Sequence, residues 1–233
     1  MTKDLEQIQT LAEQGNSAAQ FNFGICHLVG DGVEKDAAIA MQWFRAAADQ
    51  GVAEAAYNLA LGFHNGDGVN KDRAESLRWL RISAAAGYPD ALVNLGILLQ
   101  EGDGVPQDLE RARECYFAAA EAGHAVGQYN LAVIYADALG VTEDFAKGYL
   151  WFHASAEQDY APAQEALGLA YLHGQGTAID EAEAAFWMRK AAEQGLSSAQ
   201  HNLAVLYATG RGVQKSMEDA HRWEAMSHGG QPV

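Results

Sequence analysis

The 36 residues VAEAAYNLALGFHNGDGVNKDRAESLRWLRISAAAG (52–87) return in outline as YAPAQEALGLAYLHGQGTAIDEAEAAFWMRKAAEQG (160–195). Each runs from an Ala- and Leu-rich segment through a Gly-x-Gly loop to an aspartate, a tryptophan and a final glycine. The same period extends outward from these two stretches. Gly15, Gly51, Gly87, Gly123 and Gly195 share one phase, with Asp159 in the remaining slot. Gly32, Gly68, Gly104, Gly140, Gly176 and Gly212 share a second. Gly30, Gly66, Gly102, Gly174 and Gly210 share a third, with Ala138 as the exception. All five tryptophans, Trp43, Trp79, Trp151, Trp187 and Trp223, fall in one column that Cys115 completes. Self-similarity at a fixed period of this length marks a stacked repeat array.

Each period reads as two helices. Ala55, Leu59 and Phe63 recur every four residues, which is one helical face. Gly66-Asp67-Gly68-Val69 breaks that helix, because glycine supplies the left-handed backbone that helix ends and tight turns need. Asp72 is placed to cap a second helix, and Asp72…Glu75 and Asp180…Glu183 have capping-box spacing. That helix carries Leu77, Leu80 and Ala84 beside Trp79. Small residues at Gly24, Ala60, Gly96, Ala132, Gly168 and Ala204 let helices approach closely. One helix pair cannot bury its apolar face alone, so pairs must stack. The expected fold is all-α, a right-handed α-solenoid of six 36-residue helix-turn-helix repeats at 16–51, 52–87, 88–123, 124–159, 160–195 and 196–228. Residues 1–15 read as an N-terminal capping helix and 229–233 as a C-terminal tail.

Composition narrows the function. The chain has 15 Lys and Arg against 31 Asp and Glu, a net charge of −16. That balance argues against nucleic acid, whose phosphates need clustered cations, and against anionic lipid. No apolar run reaches the roughly 18 residues that span a bilayer. The start, Met1-Thr2-Lys3-Asp4-Leu5-Glu6, has no basic segment leading into an apolar one. Cys26 and Cys115 make no disulfide framework. A cytoplasmic protein is expected, or a periplasmic one if a leader has been removed.

These columns resemble the Sel1-like repeat family, relatives of the tetratricopeptide solenoids. Its pattern stands here as Ala199, Leu203, Tyr207, Gly210, Gly212, Val213, Ala220 and Trp223, and again as Ala55, Leu59, Gly66, Gly68, Val69, Asp72, Trp79, Ala84 and Gly87. The resemblance covers residues 16–228 and implies an adaptor that holds protein partners, most often in bacteria. The chain lacks the paired cysteines of the family's secreted branch, so β-lactam binding or hydrolysis is a remote alternative. A second alternative is an immunity protein that neutralises an effector toxin.

By resemblance to tetratricopeptide arrays, the first helix of each repeat lines a concave groove. The candidate contact residues there are Phe21, Ile25, Glu54, Tyr57, Asn58, His64, Asn94, Glu101, Tyr129, Asn130, Asp137, Glu165, His173 and His201. Val93 is placed among the inward positions too. Aromatic, aliphatic and acidic groups together suit a basic or amphipathic segment. The aliphatic column Ile25, Leu61, Ile97, Val133, Leu169 and Val205 reads as core, or as a seam at the groove floor. The column Asn22, Asn58, Asn94, Asn130 and Asn202 reads as a structural hydrogen bond to a neighbouring helix, or as an amide ladder for a peptide backbone. Phe21, Ile25, Leu28 and Val29 form an apolar patch suited to a partner or to self-association. The Gly-x-Gly loops lack the following Gly-Lys-Ser or Gly-Lys-Thr of a phosphate cradle, and the eight histidines share no repeat phase. The expectation is a non-enzymatic scaffold without metal or cofactor, a monomer or weak homodimer.

Overall fold

The structure, a computed structural model, describes residues 3–137, 139, 142 and 144–229. Ala138, Gly140 and the tail from 230 lie outside the described residues. Among the described residues there are thirteen helices and no strand. They are α1 (Lys3–Glu13), α2 (Ser17–Val29), α3 (Ala37–Ala48), α4 (Ala53–Asn65), α5 (Arg73–Ala85), α6 (Pro89–Glu101), α7 (Leu109–Glu121), α8 (Ala125–Ala136), α9 (Phe145–Ala156), α10 (Ala161–His173), α11 (Glu181–Glu193), α12 (Ser197–Thr209) and α13 (Met217–Ser227). The even-numbered helices open each repeat, and the odd ones from α3 close it. The chain divides into two compact units, Met1–Ala119 and Ala120–Val233, built to one local design.

That design rests on the loop inside each helix pair. In the second repeat Gly66 takes φ 84°, and both its N–H and that of Asp67 donate to the Gly62 carbonyl, closing α4. The Asp72 N–H then reaches back to the Phe63 carbonyl at 3.0 Å. Its Oδ1 accepts from the Ala74 and Glu75 N–H groups, opening α5. The same reach-back recurs from Asp36 to His27, Asp108 to Leu99, Asp144 to Tyr135, Asp180 to Tyr171 and Ser216 to Tyr207. It also explains why the expected capping boxes do not form. The cap N–H that Glu75 would have accepted already serves the preceding helix, and Glu75 turns to Arg78 instead. Between repeats, Asp159 occupies the glycine slot at φ 59°, the one non-glycine with positive φ among the described residues.

Packing within a pair is a matched exchange of size. A Cβ on Gly24 would lie 2.7 Å from the Phe44 ring, and one on Gly96 would lie 2.6 Å from the Tyr116 ring. Phe44 and Tyr116 are fully buried in the space the two glycines leave. Ser83 and Ser155 are also fully buried, each donating to a main-chain carbonyl of the partner helix, Ala53 and Ala125 respectively. Across repeats, buried glutamines do the joining. Gln20, Gln128, Gln164 and Gln200 each donate to the carbonyl eight residues earlier, on the preceding closing helix or on α1. Three of them accept from a second glutamine thirty residues on, as Gln50→Gln20, Gln158→Gln128 and Gln194→Gln164. The second and third repeats hold Ala56 with Ala86 and Leu92 with Ala122 at these positions, so both members change together.

The two flanking helices adapt the scheme. α1 buries Leu5 and Ala12 against Ala19 and Phe23. α13 carries Glu224 where Phe44, Leu80, Tyr116, Phe152 and Met188 are buried, and His228 where the other closing helices bury alanine. Glu224 is held between His201 Nδ1 at 2.8 Å and His228 Nε2 at 3.3 Å.

Gly96→Ala is expected to lower stability by about 1–3 kcal/mol through overpacking against Tyr116. That is opposite in sign to the ~1 kcal/mol gain of the same change on an unhindered helix, and urea midpoints will show which holds. The pair Glu224→Met with His228→Ala restores the interior pattern on α13 and should increase self-association. Light scattering across a concentration series measures it.

Candidate functional site

In the first unit the face formed by α4 and α6 gathers several of the residues singled out in the sequence. Tyr57 lies against Tyr88, ring centres 5.2 Å apart, and its hydroxyl accepts from Asn94 Nδ2 at 3.0 Å. Burial, Asp90 and then Glu54 push the Tyr88 phenol up from its ordinary 10 to about 12. Burial and Asp90 likewise raise Tyr57. Both shifts come first from burial, and the neighbouring carboxylates add to it. Glu101 and His64 are exposed at the C-terminal ends of their helices. Phe21 and Ile25 are half-buried, Phe21 tilted against Phe44 at 5.9 Å, and Val29 beyond them is 62% exposed.

The second unit repeats the theme with different partners. Tyr129 is flanked by Tyr160 at 5.4 Å and Phe152 at 5.7 Å, and its phenol is raised by burial, Tyr160, Glu165 and Asp137. Glu165 accepts from Ser198 Oγ at 2.7 Å and Asn202 Nδ2 at 2.9 Å. Asp137 and His173 are exposed, Asn130 is half-buried, and His201 is engaged by Glu224.

Two open columns now divide. Asn94 and Asn202 bond to the opening helix of the preceding repeat, and Asn58 bonds to the Glu54 carbonyl in its own helix. Those amides are therefore occupied by structure. In the aliphatic column Leu61 is 37% and Val205 46% exposed, and Ile25, Ile97, Val133 and Leu169 are half-buried, which makes it a surface seam rather than core. Val93 departs from its expected inward place, being only 4% exposed. Among the described residues no group of three or more His, Cys, Asp or Glu could hold a metal. Cys26 and Cys115 are free thiols, both raised chiefly by burial.

None of the six opening helices carries a Lys or Arg. All 15 lie on α1, on the closing helices or in loops, whereas Glu54, Asp90, Glu101 and Glu165 sit on opening helices. Counting cations by helix type, rather than along the whole chain, reveals it. On the closing helices these cations cover tryptophans, as Arg78 does over Trp79 at 4.2 Å.

Paired helices of one 36-residue period, joined by capped glycine loops, define an all-α repeat solenoid of the tetratricopeptide-like class. The chain belongs to the Sel1 repeat family, whose repeat model matches residues 17–52, 53–88, 89–124, 125–160, 161–196 and 197–223. Sel1 repeat proteins generally mediate protein–protein interaction. Among solved structures it is similar to a protective antigen present in uropathogenic Escherichia coli strains, with 35% identity and a TM-score of 0.88 over 97% of this chain. The chain spans about half of that antigen, 48% of its length. A Sel1 repeat protein from Oxalobacter formigenes is 31% identical at a TM-score of 0.81, covering 97% of this chain and 88% of the other. An immunity protein from Pseudomonas aeruginosa shares the fold at 19% identity and a TM-score of 0.53, over 91% of this chain and 79% of its own. No curated protein matches the chain.

A phenol raised above its unfolded value ionises first in the unfolded chain. The stability Tyr88 contributes is therefore full below pH 10 and is lost as pH climbs towards about 12. Urea unfolding across that window should show a decline that Tyr88→Phe makes shallower.

Proposed function

We propose that this chain is a non-enzymatic interaction scaffold that holds a cationic protein segment on the faces of its opening helices. The observation that carries the reading is the exclusion of cations, in which no opening helix bears a Lys or Arg while α4, α6 and α10 bear acids. In the first unit Glu54, Asp90 and Glu101 would draw the segment in, with Tyr57 and Tyr88 giving contact area at low entropic cost. In the second, Tyr129, Glu165 and Asp137 would do the same work. His64, His173 and His201 add hydrogen-bonding groups, and Phe21 with Ile25 offers an apolar contact at the first repeat. Asn94 holds Tyr57 and Asn58 is taken up by its own helix, which leaves Asn130 beside Tyr129 as the amide open to a peptide backbone. The immunity reading has the shared fold behind it, which by itself supports a scaffold without saying what is bound.

A display of random peptides selected on this chain tests the reading. Enriched peptides should be net basic, and their affinity should fall steeply with salt. The double reversal Glu54→Lys with Asp90→Lys should weaken them about tenfold or more, and Tyr129→Ala should cost about 1–3 kcal/mol for peptides that engage the second unit. Selection of neutral or acidic peptides, or binding indifferent to salt and charge reversal, overturns it.

A further inference from the structure

Between α4, α5 and α6 the first unit is hollow. Two adjoining clefts, about 430 and 250 Å³, share His64, Ser76, Leu80 and Leu98. The smaller one opens between α4 and α6, beside Leu61, Asn94 and Ile97. Its cause lies in the repeat columns. Leu80 stands where Phe44, Tyr116 and Phe152 fill the equivalent space with a ring. The column holds a ring in three of the six repeats, and in this one the smaller Leu80 leaves that space open.

We propose that this cleft receives one bulky aromatic side chain of the cationic partner segment. The inference rests on the scaffold reading and specifies what that partner presents. Leu61, Leu80, Ile97 and Leu98 make the walls apolar, and an apolar cavity of about 150 Å³ already admits benzene, so 250 Å³ has room for a larger ring. Ser76 donates to the Ala60 carbonyl, so its hydroxyl is satisfied and asks nothing of the guest. His64 is exposed on the shared lip with no hydrogen-bond partner among the described residues, free to engage the guest's backbone. Glu101 stands one turn beyond Ile97. The lysine and arginine nearby, Lys71 and Arg73, line the other cleft on the loop side, where Arg73 pairs with Asp103. The opening between α4 and α6 is thus an apolar slot with Glu101 one helical turn past its edge and the cations on the far, loop side, an arrangement that favours an aromatic residue among Lys and Arg over one among acids.

The test uses the full chain with labelled methyl groups and three probes of one shape, tryptamine, indole and indole-3-acetate. Tryptamine should give saturable shifts at the Leu61, Leu80, Ile97 and Leu98 methyls, binding several-fold more tightly than the acetate. Glu101→Lys should erase that preference. Leu80→Phe should abolish the shifts while the fold persists, since Ala132 with Phe152 already places Ala and Phe in these two columns. Wild-type-like circular dichroism and melting will verify that. Absent or unsaturable shifts, tighter binding of the acetate, or shifts that survive in folded Leu80→Phe overturn the proposal. If basic peptides bind with salt dependence while tryptamine does not, the cleft assignment alone falls. If tryptamine binds but no basic peptide does, the scaffold reading falls and takes the assigned guest with it.

Discussion

The structure depends on one bond repeated in every helix pair, from the N–H of the residue that caps the closing helix back to a carbonyl near the end of the opening helix. A loop that reverses direction between two helices must satisfy the free carbonyls of one and the free amides of the other. Here a single residue does both. Its main chain answers the helix behind it, and its side chain answers the helix ahead. With both ends tied to one point, the two helices of a pair are held at a set offset. That offset is what lets Gly24 face Phe44 and Gly96 face Tyr116 without clash.

Once pairs are rigid, the remaining choices concern what each face shows. Cations lie over Trp79, Trp187 and Trp223 on the closing helices, and the opening helices carry neither tryptophan nor Lys nor Arg. The result is a face on which tyrosines sit half-buried, the phenols of Tyr57, Tyr88 and Tyr129 raised chiefly by burial and further by nearby carboxylates. The same freedom allows one column to hold the smaller Leu80 without disturbing its neighbours, because contacts in a repeat array are mostly local.

Much of this was legible in the residues. The glycine slots, the aspartate caps and the tryptophan column are set by local rules, and local rules read directly from one strand of text. Asp159 shows how far they reach, since it fills a slot in a glycine column and takes the left-handed backbone of that column. What escaped was anything set by competition or by a partner far along the chain. Glu75 has the right spacing for a capping box, yet spacing cannot say that the donor is already spent. Val93 has the phase of an inward residue, but neighbouring helices cover it. The role of Asn94 depends on a tyrosine in another repeat, and the hollow at Leu80 depends on what surrounds an absent ring.

The glutamine pairs carry a consequence for how such a chain changes over generations. Gln128 and Gln158 fall inside a single period, as do Gln164 and Gln194. Their link to the previous repeat goes to a main-chain carbonyl, which every residue possesses. Copying or deleting one whole period therefore moves both amides together and leaves neither stranded in the interior. The array can lengthen or shorten by units without first evolving a new polar match at the seam, whereas a break placed elsewhere in the period would orphan a buried amide at once.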